Sequence, residues 1–228
     1  MLLAAPAVRG GEAAASPECN GLWLATRALS EQGDRAAGDE KVRLLERAME
    51  VGEEAVRRCP DSAEAHFWLG ASYGRFAEAK GGLTALRMVG RIRREMETSV
   101  RLQPDYDGGD AYLALGQLDL SVPGLLGGSR KRGVAWLEEG LRVAPANLDI
   151  RLTLAEAHLH DGRRGEALAL LRTIVEAPAT GAPSDDHARR RALELLRQQE
   201  PRADAPPAAP RPAHPPGLRL EAYAEERR

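Results

Sequence analysis

Apolar positions run through this chain as a recurring phrase: an apolar helix carrying Leu-Gly or Leu-Ala, a second helix, and then a proline. The phrase appears at Leu69-Gly70 leading to Pro104, at Leu115-Gly116 leading to Pro145, and at Leu154-Ala155 leading to Pro178. It predicts helices paired into hairpins, with breaks where Pro and Gly cluster. The expected pairs are 18–32 with 40–58, 62–78 with 83–102, 109–121 with 130–143, and 147–160 with 164–177. Asp61 or Ser62 is placed to cap the third helix, with Glu64 in its first turn. A final helix is expected over 185–199, opened by Asp185-Asp186 and carrying Leu193 and Leu196 on its apolar face. The fold class is therefore all-α: a right-handed α-solenoid of about four hairpins with a C-terminal capping helix.

The prolines act as a ruler. Pro60 to Pro104 is 44 residues, Pro104 to Pro145 is 41, and Pro145 to Pro178 is 33. Against a helical-hairpin repeat of about 34 residues, two units are enlarged. One enlargement lies around Ala79-Lys80-Gly81-Gly82 and lengthens the following helix; the other is the loop Val122-Pro123-Gly124-Leu125-Leu126-Gly127-Gly128-Ser129. Both fall between the two helices of a hairpin, so both should project from the same edge of the stack.

Composition narrows the function classes. Aromatics are only 4% of the chain, which suits helices packed with Leu and Ala. A net charge of −2 gives no general basic field for nucleic acid, and the 29 arginines against 3 lysines read as coding bias. No stretch approaches the roughly 18 apolar residues of a membrane span, so no transmembrane segment is expected. The start, Met1-Leu2-Leu3-Ala4-Ala5-Pro6-Ala7-Val8, followed by Ala13-Ala14-Ala15, resembles the end of a signal peptide; residues 1–15 are either such a remnant or a frayed terminus. Cys19 and Cys59 fall at the neighbouring ends of the first hairpin, where they form either a disulfide or two unrelated small core residues. From Glu200 to Arg228 the chain is rich in Pro and Ala and reads as a disordered tail.

The string Ala65-His66-Phe67-Trp68-Leu69-Gly70-Ala71-Ser72-Tyr73-Gly74 resembles the W-x2-L-G-x2-Y signature of tetratricopeptide repeats. With the Pro123–Ser129 loop it is also similar to exported bacterial tetratricopeptide proteins, including the TatT component of TRAP transporters. That resemblance covers roughly residues 45–178, although Ser16-Pro17-Glu18-Cys19 departs from a lipobox and the long tail has no counterpart. It implies a periplasmic or secreted, often oligomeric accessory protein that docks a solute-binding protein and offers a groove to a small apolar ligand. The alternative is a cytoplasmic assembly scaffold with no transport link.

In the repeat, positions three before and one after Gly70, Gly116 and Ala155 should face the concave groove: Phe67 and Ala71, Leu113 and Gln117, Leu152 and Glu156. They carry neither the Lys nor the Asn that captures a terminal carboxylate, so an apolar ligand or amphipathic peptide fits better; alternatively they only pack against adjoining helices. Around the loop, Pro123, Leu125, Leu126, Arg130 and Lys131 are candidate partner contacts. Leu125 and Leu126 either fold back to plug the inner face or stay exposed, and Arg130-Lys131-Arg132 is either a solvated face or a dock for an acidic partner. The loop lacks Walker spacing, which excludes a phosphate cradle of that type. Trp23, Trp68 and Trp136 are read as core anchors or, alternatively, as an aromatic ligand wall. His158 and His160 point to different sides of one helix, and no nucleophile, metal or cofactor motif is present. A non-enzymatic interaction protein, with no cofactor, is the expectation.

Overall fold

A computed structural model of the chain describes residues 16–178 and 181–199. Those residues form nine α-helices: α1 (Pro17–Arg35), α2 (Gly38–Arg58), α3 (Ala63–Lys80), α4 (Gly82–Leu102), α5 (Asp110–Ser121), α6 (Arg130–Val143), α7 (Leu148–His160), α8 (Arg164–Glu176) and α9 (Pro183–Gln199). Short 3₁₀ turns at Tyr106–Gly109 and Gly124–Leu126 complete the secondary structure. The expected all-α solenoid is the observed architecture, and its helices pair as the pattern required. The expected leader remnant at 1–15 and the Pro/Ala-rich tail at 200–228 lie outside the described residues.

Helix starts are specified locally. The side chains of Ser16, Ser62, Ser129 and Asn147 each accept a hydrogen bond from the backbone N–H three residues on. Each satisfies an amide that has no partner inside the helix.

Helices approach one another where one side carries almost no side chain. A Cβ added at Gly116 would lie 2.6 Å from Cγ and Cδ2 of the fully buried Leu137 on α6, and one at Gly70 would meet Met96 of α4 at 3.1 Å. Ala155, at the equivalent place on α7, is fully buried against Leu171 and Ile174 of α8. The Leu-Gly/Ala phrase is thus a packing device.

The main core gathers Phe67, Trp68, Leu69, Tyr73, Ile92 and Met96 from α3 and α4 with Leu115 from α5. Trp68 is an anchor as expected: it is buried, donates its indole N–H to Tyr106 Oη at 3.0 Å, and has Arg27 and Arg75 over its rings. Trp23 and Trp136 are half-buried at the edge of the same core.

The capping helix sits in a different register from the one expected. Ala188, Ala192 and Leu195, at i, i+4 and i+7, are its buried face, whereas Leu193 is 38% exposed and Leu196 only half-buried. Alanines let α9 lie close to α7 and α8, which fixes the rotation that turns Leu193 outward.

Cys19 in the first turn of α1 and Cys59 at the end of α2 are joined by a disulfide, with their Cα atoms 5.9 Å apart. Because a 40-residue separation is closed, the bond contributes about 4 kcal/mol in the chain-entropy model.

Urea unfolding separates these contributions. Gly116→Ala is expected to destabilise by about 1–3 kcal/mol, because Leu137 has nowhere to retreat. Gly74→Ala, whose Cβ meets nothing within 4 Å, should stabilise by up to about 1 kcal/mol through helix propensity. Cys59→Ser should cost up to about 4 kcal/mol, and adding reductant should then change nothing further.

Candidate functional site: an apolar groove beside a braced loop

Along the stack, α1 packs on α3, α5 on α7, and α7 on α9. The pair α3 and α5 makes no comparable contact. The lengthened α4 stands between them and turns one stripe, Ala85, Val89, Ile92 and Met96, toward the gap. The result is an open groove of about 960 Å³. The second repeat unit therefore supplies one wall of the site through α4.

The groove floor is small and apolar, with Gly70, Ala71, Gly74, Ala77, Ala85 and Ala114 among its lining residues. Of the six expected groove positions, Phe67, Ala71, Leu113, Gln117 and Glu156 line it. Leu152 does not; it is buried with Leu148 and Ala155 in the core beneath α7 and α8. Thr153, one residue and about 100° further round the helix, takes the groove place instead. Phe67 is itself mostly buried, held edge-on by Trp68 and Tyr106 with ring centroids 5.4 and 5.3 Å away.

Both enlarged connections reach the same end of the groove, where Gly81 from the α3–α4 turn and Val122 and Pro123 from the α5–α6 loop are lining residues. Beyond them the rim is apolar and open. Leu83 is 74% exposed, Leu126 49%, and Leu125 fully exposed. Of the two readings for the loop leucines, the exposed one describes the structure.

The loop that carries them is rigidly built. Leu126 and Gly128 both donate backbone N–H groups to Pro123 O, at 2.8 and 3.2 Å. Gly127 takes the left-handed conformation at φ 93°, and a Cβ on Gly128 would fall 1.7 Å from Val122 O, so neither position accepts another residue. Beneath the loop lies Asp119 of α5, only 1% exposed. Arg93 of α4 donates to its two carboxylate oxygens at 2.7 and 3.0 Å, and Arg132 of α6 does so at 2.5 and 2.6 Å. Both guanidiniums also donate to Gly127 O, at 3.2 and 2.7 Å. One buried carboxylate thus ties three helices to the loop backbone. Burial alone would push the Asp119 carboxyl up, but the hydrogen bonds from Arg132 and Arg93 outweigh that and hold it below the ordinary aspartate range.

The basic run after the loop is not a uniform charged face. Arg130 donates to Ala157 O at 2.7 Å and pairs with Asp161, so it fastens α6 to the end of α7. Arg132 is engaged at Asp119, and Lys131 alone is exposed without a described partner.

Two buried polar links escaped the sequence reading. His66 donates through Nε2 to Pro60 O at 2.9 Å and is 2.7 Å through Nδ1 from Glu95 Oε2, joining the α2–α3 turn to α4. Tyr73 donates to Glu53 Oε1 at 2.7 Å; burial, then that neighbouring carboxylate, pushes its phenol well above the ordinary tyrosine range. Among the described residues no group of three or more His, Cys, Asp and Glu is arranged to hold a metal, and no helix is long and apolar enough to cross a membrane.

A family profile described as regulator of microtubule dynamics protein 1-3 matches residues 10–125, just over half of the chain and the part that forms α1 to α5. The chain belongs to that family. A tetratricopeptide-repeat profile matches residues 129–208. No curated protein matches. Among solved structures, a thermophilic tetratricopeptide protein of Thermus thermophilus superposes with a TM-score of 0.51 at 22% identity, covering 78% of this chain and 98% of that one. That likeness supports the fold alone.

The family match corrects the resemblance to TatT. It also overturns the signal-peptide reading and the periplasmic or secreted location drawn from it: the matched region begins at residue 10 and so includes Ala13-Ala14-Ala15, the expected cleavage site. The tetratricopeptide part of the resemblance stands, because the repeat pattern is common to many unrelated branches; the loop motif that selected one branch is a brace built from short-range backbone geometry.

Acid unfolding followed by circular dichroism tests the brace. Asp119 contributes stability that is complete above the ordinary aspartate pKa of about 3.9 and is lost as pH falls through its depressed folded-state value. Asp119→Asn should cost about 3 kcal/mol at neutral pH, the low end for a broken buried pair because both guanidiniums retain access to water. The two unfolding curves should converge in acid.

Proposed function

We propose that this protein is a non-catalytic interaction scaffold whose docking site is the α3–α5 groove together with the adjoining loop. The tetratricopeptide architecture supports the scaffold role in general. The observation that carries the finer reading is the exposure of Leu83 at the start of α4, and of Leu125 and Leu126 on a loop held from below by a buried ion cluster, next to the groove-lining Gly81 and Pro123. Exposed leucines on a rigid loop cost solvation without recovering packing inside the chain, and such patches characterise contact surfaces. Phe67, Ala71, Leu113, Gln117 and Glu156 form the groove contacts in this reading, and Pro123, Leu125 and Leu126 the loop contacts.

A second reading draws on the family match, whose description names regulation of microtubule dynamics. In that case the scaffold would act on or beside polymerised tubulin. Saturable co-sedimentation of the protein with microtubules would support it; recovery in the supernatant at all tubulin concentrations would remove it.

Two variants test the docking site. Gly74→Leu fills the groove from a position where an added Cβ meets nothing within 4 Å, and Leu125→Asp/Leu126→Asp removes the apolar rim. Partners co-purified from the native host are identified by mass spectrometry, with circular dichroism confirming that each variant is folded. A partner retained by wild type and reduced about tenfold or more by either variant supports the site. An unchanged partner set in both variants overturns it.

A further inference from the structure

The charges of the groove are unbalanced, and the imbalance narrows what it can hold. Four ionisable residues line it: Arg75, Glu78, Asp110 and Glu156. Two of them are already compensated. Arg75 pairs with Asp34, donates to Ser30 Oγ at 3.0 Å and lies over the Trp68 ring. Glu156 accepts from Arg191 of α9 at 2.9 Å.

The other two are not. Glu78, in the last turn of α3, is exposed and has no hydrogen-bond or ion-pair partner among the described residues. Asp110, the first residue of α5, accepts among the described residues only from the neutral Asn147 amide, at 2.9 Å. Burial raises its carboxyl above the usual range, and Asp107 and Asp149 add to the rise. A cation brought to Asp110 would relieve that cost.

These two carboxylates stand at opposite ends of the groove. The helices α3 and α5 are each antiparallel to the intervening α4, so they run in the same direction, and Asp110 begins one while Glu78 ends the other. Phe67 packs on Tyr106 just before α5, which sets the start of α3 beside the start of α5. From Phe67 to Glu78 the helix rises about 16 Å, or three turns. The floor between is apolar, and it comes from helices whose backbone groups are bonded internally. An extended peptide would lose hydration of its own amides there without finding partners, whereas a helix brings its amides already paired.

We propose that the groove takes an amphipathic helix of a partner protein, about three turns long, with an apolar face and a basic residue near each end. This rests on the groove being the docking site. Glu78 and Asp110 would select the charge and orientation of the bound helix, and the small residues of the floor would admit its leucines.

Fluorescence anisotropy with two labelled peptides of about 14 residues, built of Leu and Ala on one face and ending in Lys or in Glu, tests this on the full chain. The Lys peptide should bind about tenfold or more tightly than the Glu peptide, and added salt should narrow the gap. Glu78→Lys/Asp110→Asn should abolish the preference, and Gly74→Leu should abolish binding of both. Equal binding of the two peptides, or preference for the Glu peptide, overturns the charge inference while leaving groove docking intact if Gly74→Leu still blocks. Binding untouched by Gly74→Leu overturns the docking site itself. Competition at equal concentration by a synthetic peptide of residues 200–228, displacement by phosphatidylcholine vesicles, or loss of binding on self-association would each assign the groove a different occupant and overturn the proposal.

Discussion

Close approach of helices at small residues is the constraint on which this structure depends. Where Gly116 meets Leu137 and Gly70 meets Met96, no side chain can be added without moving a buried neighbour. Such contacts hold the two helices of a hairpin together and set the level at which the next hairpin can stack. Between α3 and α5 the direct contact that joins α1 to α3 is missing, and the groove lined by α4 is the space that results.

The same logic explains why the loop beside the groove needs its own support. A connection that leaves the stack cannot rely on helix packing, and its leucines face water. Its rigidity comes from tight turns at Gly127 and Gly128 and from Asp119, whose buried charge is acceptable only because two arginines surround it with four hydrogen bonds. Removal of that carboxylate would leave two cations facing each other beneath the loop. The brace and the exposed leucines therefore form one unit, an apolar surface held in place by a polar foundation.

Family membership and groove chemistry constrain function from different sides. The match to the regulator of microtubule dynamics family covers the hairpins that build the groove, and the tetratricopeptide match covers those that close it. Neither match specifies an occupant. The proposed basic occupant rests on two carboxylates at the ends of an apolar floor, of which Asp110 bears a burial cost that a matching cation would relieve.

Helix limits and the groove-facing stripe were legible in the chain because they depend on local rules. Serine and asparagine caps, glycine and proline breaks, and the spacing from each Leu-Gly or Leu-Ala place the helices to within a few residues, and Phe67, Ala71, Leu113, Gln117 and Glu156 follow from that spacing. The branch of the family did not follow, since the loop motif that suggested TatT reflects what a tight glycine turn requires in any protein. Other features depended on the third dimension. Leu152 turns into the core, Leu193 turns outward, Asp119 is clamped by residues 26 and 13 positions away, and His66 reaches Glu95 across 29. Nothing in local periodicity encodes those partners, because they are set by how far apart packed helices come to rest. Sequence alone established a helical repeat and most of the positions on its groove-facing side; the separation of α3 from α5, and with it the existence and charge of the groove, arose only when the hairpins packed.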